Sequence, residues 1–387
     1  MNLSPTRPLK LPKQTPPVPT NAVLIDPFYP LDVNGHGGSR RTVQVIELLQ
    51  KADIELSHLE RKILRTQRDR YLTGISSVLN PNTLRFIVQN QLQIRSSLQS
   101  LAFCGFQRQV YHDELSHHQG SKLLLWETTK NYVAPYVAKA IGYRVIALPH
   151  NIEALIPRND CCETLETEIA SLGKADAVFC IAREEEWLLK AKGVNAFYLP
   201  YYPPDPILKD LATVRQARLT TQKQRFLILG TANNTPTLLG MIEQIEWLKQ
   251  IQSTIEFEVD FEVDIVGYGT EQLSRYCDLP GFTVHGAVET KTLNQFLQSA
   301  KAVLVHQKAG VGALTRIPEM IMAGIPVIAS SNACRSAFEY AGVYCYEDWR
   351  ELAEWLSRDL AMPEVLPRPI SAEQRLIEWV LQLAQAE

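Results

Sequence analysis

Nowhere in the 387 residues do roughly eighteen apolar side chains run together, so no membrane-spanning helix is expected. The opening residues, "MNLSPTRPLKLPKQTPPVPT", lack the apolar core of an export signal and read as a loose, Pro-rich extended arm over residues 1–20. Cysteine is sparse and poorly spaced: there are seven, with no C-x-x-C, and the only close pair is Cys161-Cys162. That excludes a disulfide framework and the usual zinc or redox spacings, and reduced thiols in a cytoplasm are the expectation. An excess of charge of one sign is also missing. With 39 basic against 42 acidic residues and a net charge of −3, nothing in bulk attracts the chain to nucleic acid. Internal repeats and low-complexity tracts are absent.

What is there is enough chain for two hydrophobic cores, and hence for a cleft between them. Short, continuous apolar runs recur: "NAVLID" (21–26), "KLLLWET" (122–128), "YRVIALPH" (143–150), "DAVFCIA" (176–182) and "AFYLP" (196–200). Runs of that type interleaved with helical patterns such as "TVQVIELLQKA" (42–52) predict a parallel sheet covered on both faces. "PYYPPDP" (200–206), four prolines in seven residues, is too stiff and donor-poor to continue a strand and marks a boundary. Beyond it the pattern restarts with "RFLILG" (225–230), "FEVDIVGYG" (261–269), "FTVHG" (282–286), "AVLVHQ" (302–307) and "PVIAS" (326–330). The expected organisation is α/β, with a first doubly wound domain over 21–202 and a second over 203–370. After the Pro-rich "MPEVLPRPI" (362–370), a last helical run within 371–387 is free to cross back onto the first domain. The basic run "RKILRTQRDR" (61–70) reads first as a solvated helix face and only second as a surface for anionic lipid.

Chemistry concentrates in "HQKAGVGALTRIPEMIMAGIPVIAS" (306–330). Gly310 and Gly312 lie between a strand and a helix, where missing side chains let backbone N–H groups approach an anion. Thr315 is a candidate N-cap, and Pro318 belongs in a first turn, so the helix should begin near Arg316 with its positive end toward the glycines. Arg316 and Glu319 share a face: the guanidinium suits a diphosphate and the carboxylate a cis-diol, which together describe a nucleoside diphosphate. The bland alternative is a first-turn glutamate, an incidental arginine and a turn of glycines.

The spacing G-x-G-x-x-x-R-x-x-E-x-x-x-A-G-x-P-V-I resembles the nucleotide-sugar site of GT-B glycosyltransferases, in particular the retaining family 4. "ILGTANNTPTLLGMIEQIEWL", "VDIVGYG", "FTVHGAV" and "AVLVHQKAG" follow in that family's order, and "ADAVFCIAREEEWLLKAKGV" resembles the end of its first domain. The resemblance implies two Rossmann-like, doubly wound parallel-sheet domains facing a central cleft. It implies transfer of a sugar from a nucleotide-diphosphate-sugar to an acceptor hydroxyl, with retention, without a cofactor or metal, and commonly in polysaccharide or glycoconjugate assembly. Glu319 stands where the family binds the ribose and Arg316 where it holds the diphosphate. Gly310, Val311, Gly312, Ala313, Leu314 and Thr315 stand for the phosphate and sugar loop, and Gly230 and Thr231 for the end of the domain's first strand. His285, Gly286 and Val288 border the nucleobase, mostly through backbone. In the first domain Gly37 and Gly38, in "GHGGSRR", resemble a donor-side glycine loop. His150, in "LPHNIEA", is the polar residue expected near the transferred sugar, with Asn151 and Glu153 as helpers; Glu127 reads as a satisfied strand-end carboxylate.

Two departures stand out. Val311 replaces the first glutamate of the family's E-x7-E pair, and the loop after Gly230 lacks the usual arginine and lysine, leaving Arg316 as the main phosphate cation. Other readings are a catalytically silent GT-B binding or assembly protein, a GT-B sugar-nucleotide epimerase, a trehalose- or glycogen-type synthase, and a dinucleotide-dependent oxidoreductase suggested by Gly267-Tyr268-Gly269. The last lacks a third glycine. UDP, GDP and ADP are not distinguished, and the acceptor, whether carbohydrate, lipid-linked or small molecule, is open, as is the oligomeric state. Nucleic acid is not an expected partner; a cytoplasmic location, with peripheral contact at the inner membrane face, is the expectation.

Overall fold

Twelve strands form, six in each half of the chain and ten of them on the apolar runs above, as a computed structural model describes them over residues 22–59, 67–92, 98–156, 164–254 and 261–385. The arm (1–20), Cys161-Cys162 and residues 61–66 of the basic run lie outside the described residues. In the first half the strands are β1 (Val23–Asp26), β2 (Leu56–His58), β3 (Leu123–Trp126), β4 (Arg144–Ala147), β5 (Ala177–Cys180) and β6 (Ala196–Tyr198). The second half has β7 (Arg225–Leu229), β8 (Val263–Val266), β9 (Phe282–Gly286), β10 (Ala300–Val305), β11 (Val327–Ser330) and β12 (Val343–Tyr346). The sheet orders are β2-β1-β3-β4-β5-β6 and β12-β11-β10-β7-β8-β9, and every strand pairing is parallel.

Parallel strands covered on both faces need apolar residues at every position, and β1, β3, β5, β8 and β11 are buried throughout. The first sheet has one core under the Leu98–His117 and Ala134–Ala140 helices, and another under the Gly37–Lys51 helix. The second sheet is covered by the Thr235–Ser253 and Trp349–Ser357 helices on one face and by Asp205–Arg218 and Arg316–Met322 on the other. Pro206 sits in the first turn of Asp205–Arg218, where a missing N–H is harmless.

The last helix, Ile370–Gln385, lies on the first sheet: Leu376, Val380 and Leu383 are buried beside Val23, Leu123 and Phe179, and Trp379 meets Phe197 at 5.8 Å between ring centroids. The chain therefore crosses between the halves twice, near 200–205 and again between 359 and 369. Between β2 and β3 it makes a helical excursion, Gln67–Val78, Pro81–Gln89 and Leu98–His117. Only Arg68 of the basic run is described there, and it is exposed.

Both sheets reverse their winding once. The first does so between β1 and β3, the second between β7 and β10, and the carboxyl ends of the strands flanking such a reversal form a crevice where ligands bind in open α/β sheets. Leu376→Ala removes a fully buried side chain from under the first sheet. It should lower stability by about 2–5 kcal/mol, read as a fall in the urea midpoint.

Candidate active site

At the reversal point of the second sheet β7 ends in Leu229-Gly230, and the loop after β10 supplies residues 310–315. Arg316, the first residue of its helix, turns back into this crevice and donates from Nη1 to the Leu229 carbonyl at 2.9 Å. Gly230 allows it to do so, because a Cβ at that position would lie 2.4 Å from the same Nη1. Thr231 follows at the strand end, with its carbonyl accepting from Asn234 N at 3.2 Å. Burial pulls the Arg316 guanidinium down to about 10, its Nε is buried without a hydrogen-bond partner, and among the described residues no carboxylate pairs with it. A half-buried cation whose Nε is desolvated in this way is stabilised when something anionic comes to it.

The glycine loop is the point at which the two halves touch. Gly312 takes φ +72°, and a Cβ there would lie 2.1 Å from Asn151 Oδ1 and 2.8 Å from the His150 carbonyl. With its amide turned to donate, Asn151 reaches the carbonyls of His150 (2.9 Å) and Val311 (3.3 Å). Gly310 lies against the side-chain amide of Gln307, and Ala313 packs with Tyr201. Thr315 does not cap its helix: it is itself in the helical region with no side-chain cap bond, and its hydroxyl lies over Gly37, 2.0 Å from where a Cβ would be. The helix itself is only seven residues long, so its end contributes little dipole and the loop amides and Arg316 carry the positive character.

Glu319 differs from its expected role in this conformation. Rather than facing an open nucleotide site, it is 5% exposed, and both oxygens are taken from the first half: Oε2 accepts from Arg40 Nη1 at 2.5 Å and Oε1 from the Tyr201 hydroxyl at 2.7 Å. Closure desolvates the carboxylate, and a buried carboxylate needs such donors. Gly37 and Gly38 differ too. They form the first turn of the Gly37–Lys51 helix rather than a loop, with His36 as N-cap accepting from Gly38 N at 3.1 Å. That geometry aims Arg40, one turn in, across the cleft at Glu319.

On the first-half side, His150 follows β4 and is 8% exposed, ringed by Phe28 and Tyr29 at 5.5 and 5.0 Å. Its Nε2 lies 3.0 Å from Glu127 Oε1 but off the line of a well-directed hydrogen bond. Glu127 Oε2 accepts from Phe28 N and Thr42 Oγ1, both at 2.8 Å. Glu153 is buried in a short 3-10 turn whose amides are held by Glu168: Oε1 accepts from Glu153 N at 2.8 Å and Oε2 from Ala154 N at 2.7 Å.

In the loop expected to border the nucleobase, Gly286 has φ +71° and its carbonyl accepts from Gly267 N at 2.8 Å. The His285 ring points away along the sheet, 2.7 Å from Asp264 and 4.5 Å from the Phe296 ring, so this position offers backbone to the crevice; Val288 is half-buried against the second core. Gly267, the first glycine of the G-x-G that suggested a dinucleotide site, has a packing role: a Cβ there would lie 1.9 Å from the Gly230 carbonyl. Among the described residues no cluster of three or more His, Cys, Asp or Glu is placed to hold a metal, and no helix is long and apolar enough to cross a membrane.

No family model and no curated protein sequence matches the chain. Solved structures do match. A UDP-forming α,α-trehalose-phosphate synthase from Burkholderia vietnamiensis superposes with TM-score 0.62 at 11% identity, covering 94% of this chain and 93% of that one. A sucrose-phosphate synthase from Thermosynechococcus elongatus gives 0.56 at 15% identity over 94% and 92%. HepE from Anabaena, in complex with UDP and glucose, gives 0.51 at 13% over 94% and 97%. The chain has the GT-B fold. In GT-B terms the two reversal points face each other across the cleft, with the 310–315 loop, Arg316 and Glu319 on one wall and His150, Arg40 and Tyr201 on the other.

Arg40 and Tyr201 are the cleft residues that sequence reasoning overlooked. Arg40 stood inside the quoted "GHGGSRR", but only the helix start at Gly37 shows its direction, and Tyr201 lay in a Pro-rich passage read as a boundary. Two outcomes are expected. Arg40→Ala should destabilise the chain by about 1–3 kcal/mol in urea, and Glu319→Gln should cost much less once Arg40 is gone, because one contact is being removed twice. Burial, partly offset by its two N–H bonds, pushes Glu168 up to about 7. The folded chain therefore keeps a proton that the unfolded chain releases near the ordinary 4.5, so this group's contribution weakens as pH rises from about 4.5 to about 7, by on the order of 3 kcal/mol. Urea midpoints between pH 5 and pH 8 should fall less steeply in Glu168→Gln.

Proposed function

We propose that the protein is a glycosyltransferase that moves a sugar from a nucleotide-diphosphate-sugar to an acceptor hydroxyl with retention of configuration. The observation that carries this reading is Arg316 at the reversal point between β7 and β10: its half-buried guanidinium has a buried Nε with no hydrogen-bond partner and, among the described residues, no carboxylate beside it, and the glycine-containing loop 310–315 flanks it. A planar fork of donors of this kind suits an anion with several oxygens. Support also comes from neighbours of the same fold, one described as UDP-forming and another solved with UDP and glucose.

In this reaction the bond from the sugar carbon to the diphosphate oxygen breaks, a bond to the acceptor oxygen forms, and the acceptor proton passes to the departing diphosphate. Charge grows on that leaving group in the transition state, and Arg316 neutralises it together with the amides of the 310–315 loop other than Gly312, whose N–H is held by Glu185. Gly230, Thr231, Gly310, Gly312 and Thr315 shape the cradle, and the backbone at Gly286 and Val288 borders the base. Glu319 binds the ribose diol after exchanging Arg40 and Tyr201 for it, so donor entry and loosening of that contact are one event. His150 faces the transferred sugar. The acceptor is a carbohydrate or a lipid-linked or small-molecule hydroxyl in polysaccharide or glycoconjugate assembly.

A second reading, a catalytically silent GT-B binding protein, draws on Glu319 being occupied from within the chain. Calorimetry against UDP, GDP, ADP and their sugars separates the two when followed by assay of donor hydrolysis or transfer. The wild-type chain should bind one nucleotide series and turn its sugar over. Arg316→Ala should weaken binding by about 100-fold or more, and Glu319→Ala should weaken it with the fold intact. Unchanged affinity in both variants would refute the site; binding without turnover would favour the silent reading.

A further inference from the structure

One carboxylate in the cleft belongs to neither wall alone. Glu185 stands in the first turn of the Arg183–Ala191 helix and is 2% exposed. Its Oε1 accepts from Ile152 N at 2.9 Å, in the segment that begins with His150, and from Gly312 N at 3.0 Å in the opposite half. Its Oε2 is buried without a partner. The other polar group of Gly312 is held from the same place: its carbonyl accepts from Arg335 Nη2, and Arg335 Nε donates to Glu184 at 2.8 Å. The Gly312 backbone, in the left-handed region and outside any helix or strand, is thus fixed at both its N–H and its C=O by side chains that converge on Glu184 and Glu185. A buried carboxyl oxygen with no donor costs stability, so its presence at the meeting point of two loops calls for a role.

We propose that Glu185 is a positioning residue for the transfer reaction: it latches the 310–315 loop onto the His150 segment and so sets the distance between the donor cradle and the residue facing the transferred sugar. The inference rests on reading 310–315 as that cradle. Two backbone N–H groups from opposite halves meet on one oxygen, so neither half can move away without giving up a buried hydrogen bond.

The latch also responds to protons. Burial pushes the Glu185 carboxyl up to about 8, with Glu184 adding to it and the two N–H bonds and Arg335 opposing. The groups around it are Glu184 and Glu186 on its own helix, Cys180 on β5 with Arg41 beyond, Arg335 across the cleft, and His150 and Glu153 flanking Ile152. When protonated, Glu185 keeps both N–H bonds on Oε1 and no anion is buried. An open cleft would rehydrate the carboxyl and return it toward 4.5, so the closed form loses ground as pH rises from about 4.5 to about 8 and levels off above.

Hydrogen–deuterium exchange on the full, ligand-free chain between pH 6 and pH 9, corrected for intrinsic exchange, tests this. In the wild type, protection of the 310–315 segment should fall at least tenfold between pH 6 and pH 8 and then level off. Glu185→Gln keeps the acceptor and loses the titration, so protection should persist without that fall. Glu185→Ala should speed exchange about tenfold or more in both 310–315 and 150–153. The pH comparison is read on 310–315, which Glu168 does not touch, and Glu185→Gln keeps the test alive should the alanine variant fail to fold. Unchanged 310–315 exchange in Glu185→Ala, or the same pH fall in Glu185→Gln, would overturn the latch. No nucleotide is present, so that failure leaves the donor reading standing; the donor reading fails separately if Arg316→Ala binds UDP as the wild type does.

Discussion

The carboxyl ends of two parallel sheets point at each other, and every polar group that closure takes out of water there must find its partner across the gap. Glu319 of the second half is met by Arg40 and Tyr201 of the first, the N–H of Gly312 by Glu185, and Glu184 by Arg335. Arg316, by contrast, has no carboxylate from the opposite half among the described residues. Its guanidinium has a carbonyl of its own sheet on Nη1 and nothing on Nε, although it lies at the crevice where this topology places ligands. The pairs across the gap hold the cleft shut, and the cation that none of them neutralises points to the ligand that opens it.

Several layers of the fold were legible because one physical rule wrote them. Strands buried on both faces are mostly apolar, and β1, β3, β4, β5, β7, β8, β10 and β11 all appear as such runs, with polar residues mainly at their ends. The edge strands β2 and β12 escaped notice: Leu56-Ser57-His58 and Val343–Tyr346 pair on one side only and mix polar with apolar residues, so neither run stands out. The helices over 67–117 were equally hard to read. Their contacts are with one another as much as with the sheet, and Gly74 and Gly105 bring two of them into backbone contact, a Cβ at Gly74 meeting the Ala102 carbonyl at 1.9 Å.

At the site, residue types and spacing exposed the loop glycines, Arg316 and Glu319, because anion binding by backbone at a strand–helix junction has a local signature. Direction had none. That Glu319 turns to Arg40, that Thr315 leaves its helix uncapped to cover Gly37, and that His285 folds back onto Asp264 are all set by the opposing half or by neighbouring strands. The acidic run Glu184-Glu185-Glu186 was quoted only as part of the end of the first domain, and only the docking of the halves gives its glutamates separate tasks. Pairwise contacts between residues more than a hundred positions apart leave no periodicity to read.

The central claim is that the Arg316 guanidinium and the amides of the 310–315 loop other than Gly312 together form the seat of a diphosphate. A crystal structure of the chain soaked with UDP tests it most directly. The account predicts β-phosphate oxygens within hydrogen-bond reach of Arg316 and of the loop N–H groups, with the ribose at Glu319 and Arg40 moved off that carboxylate. UDP bound elsewhere, with Arg316 still on the Leu229 carbonyl and Glu319 still held by Arg40 and Tyr201, would contradict it.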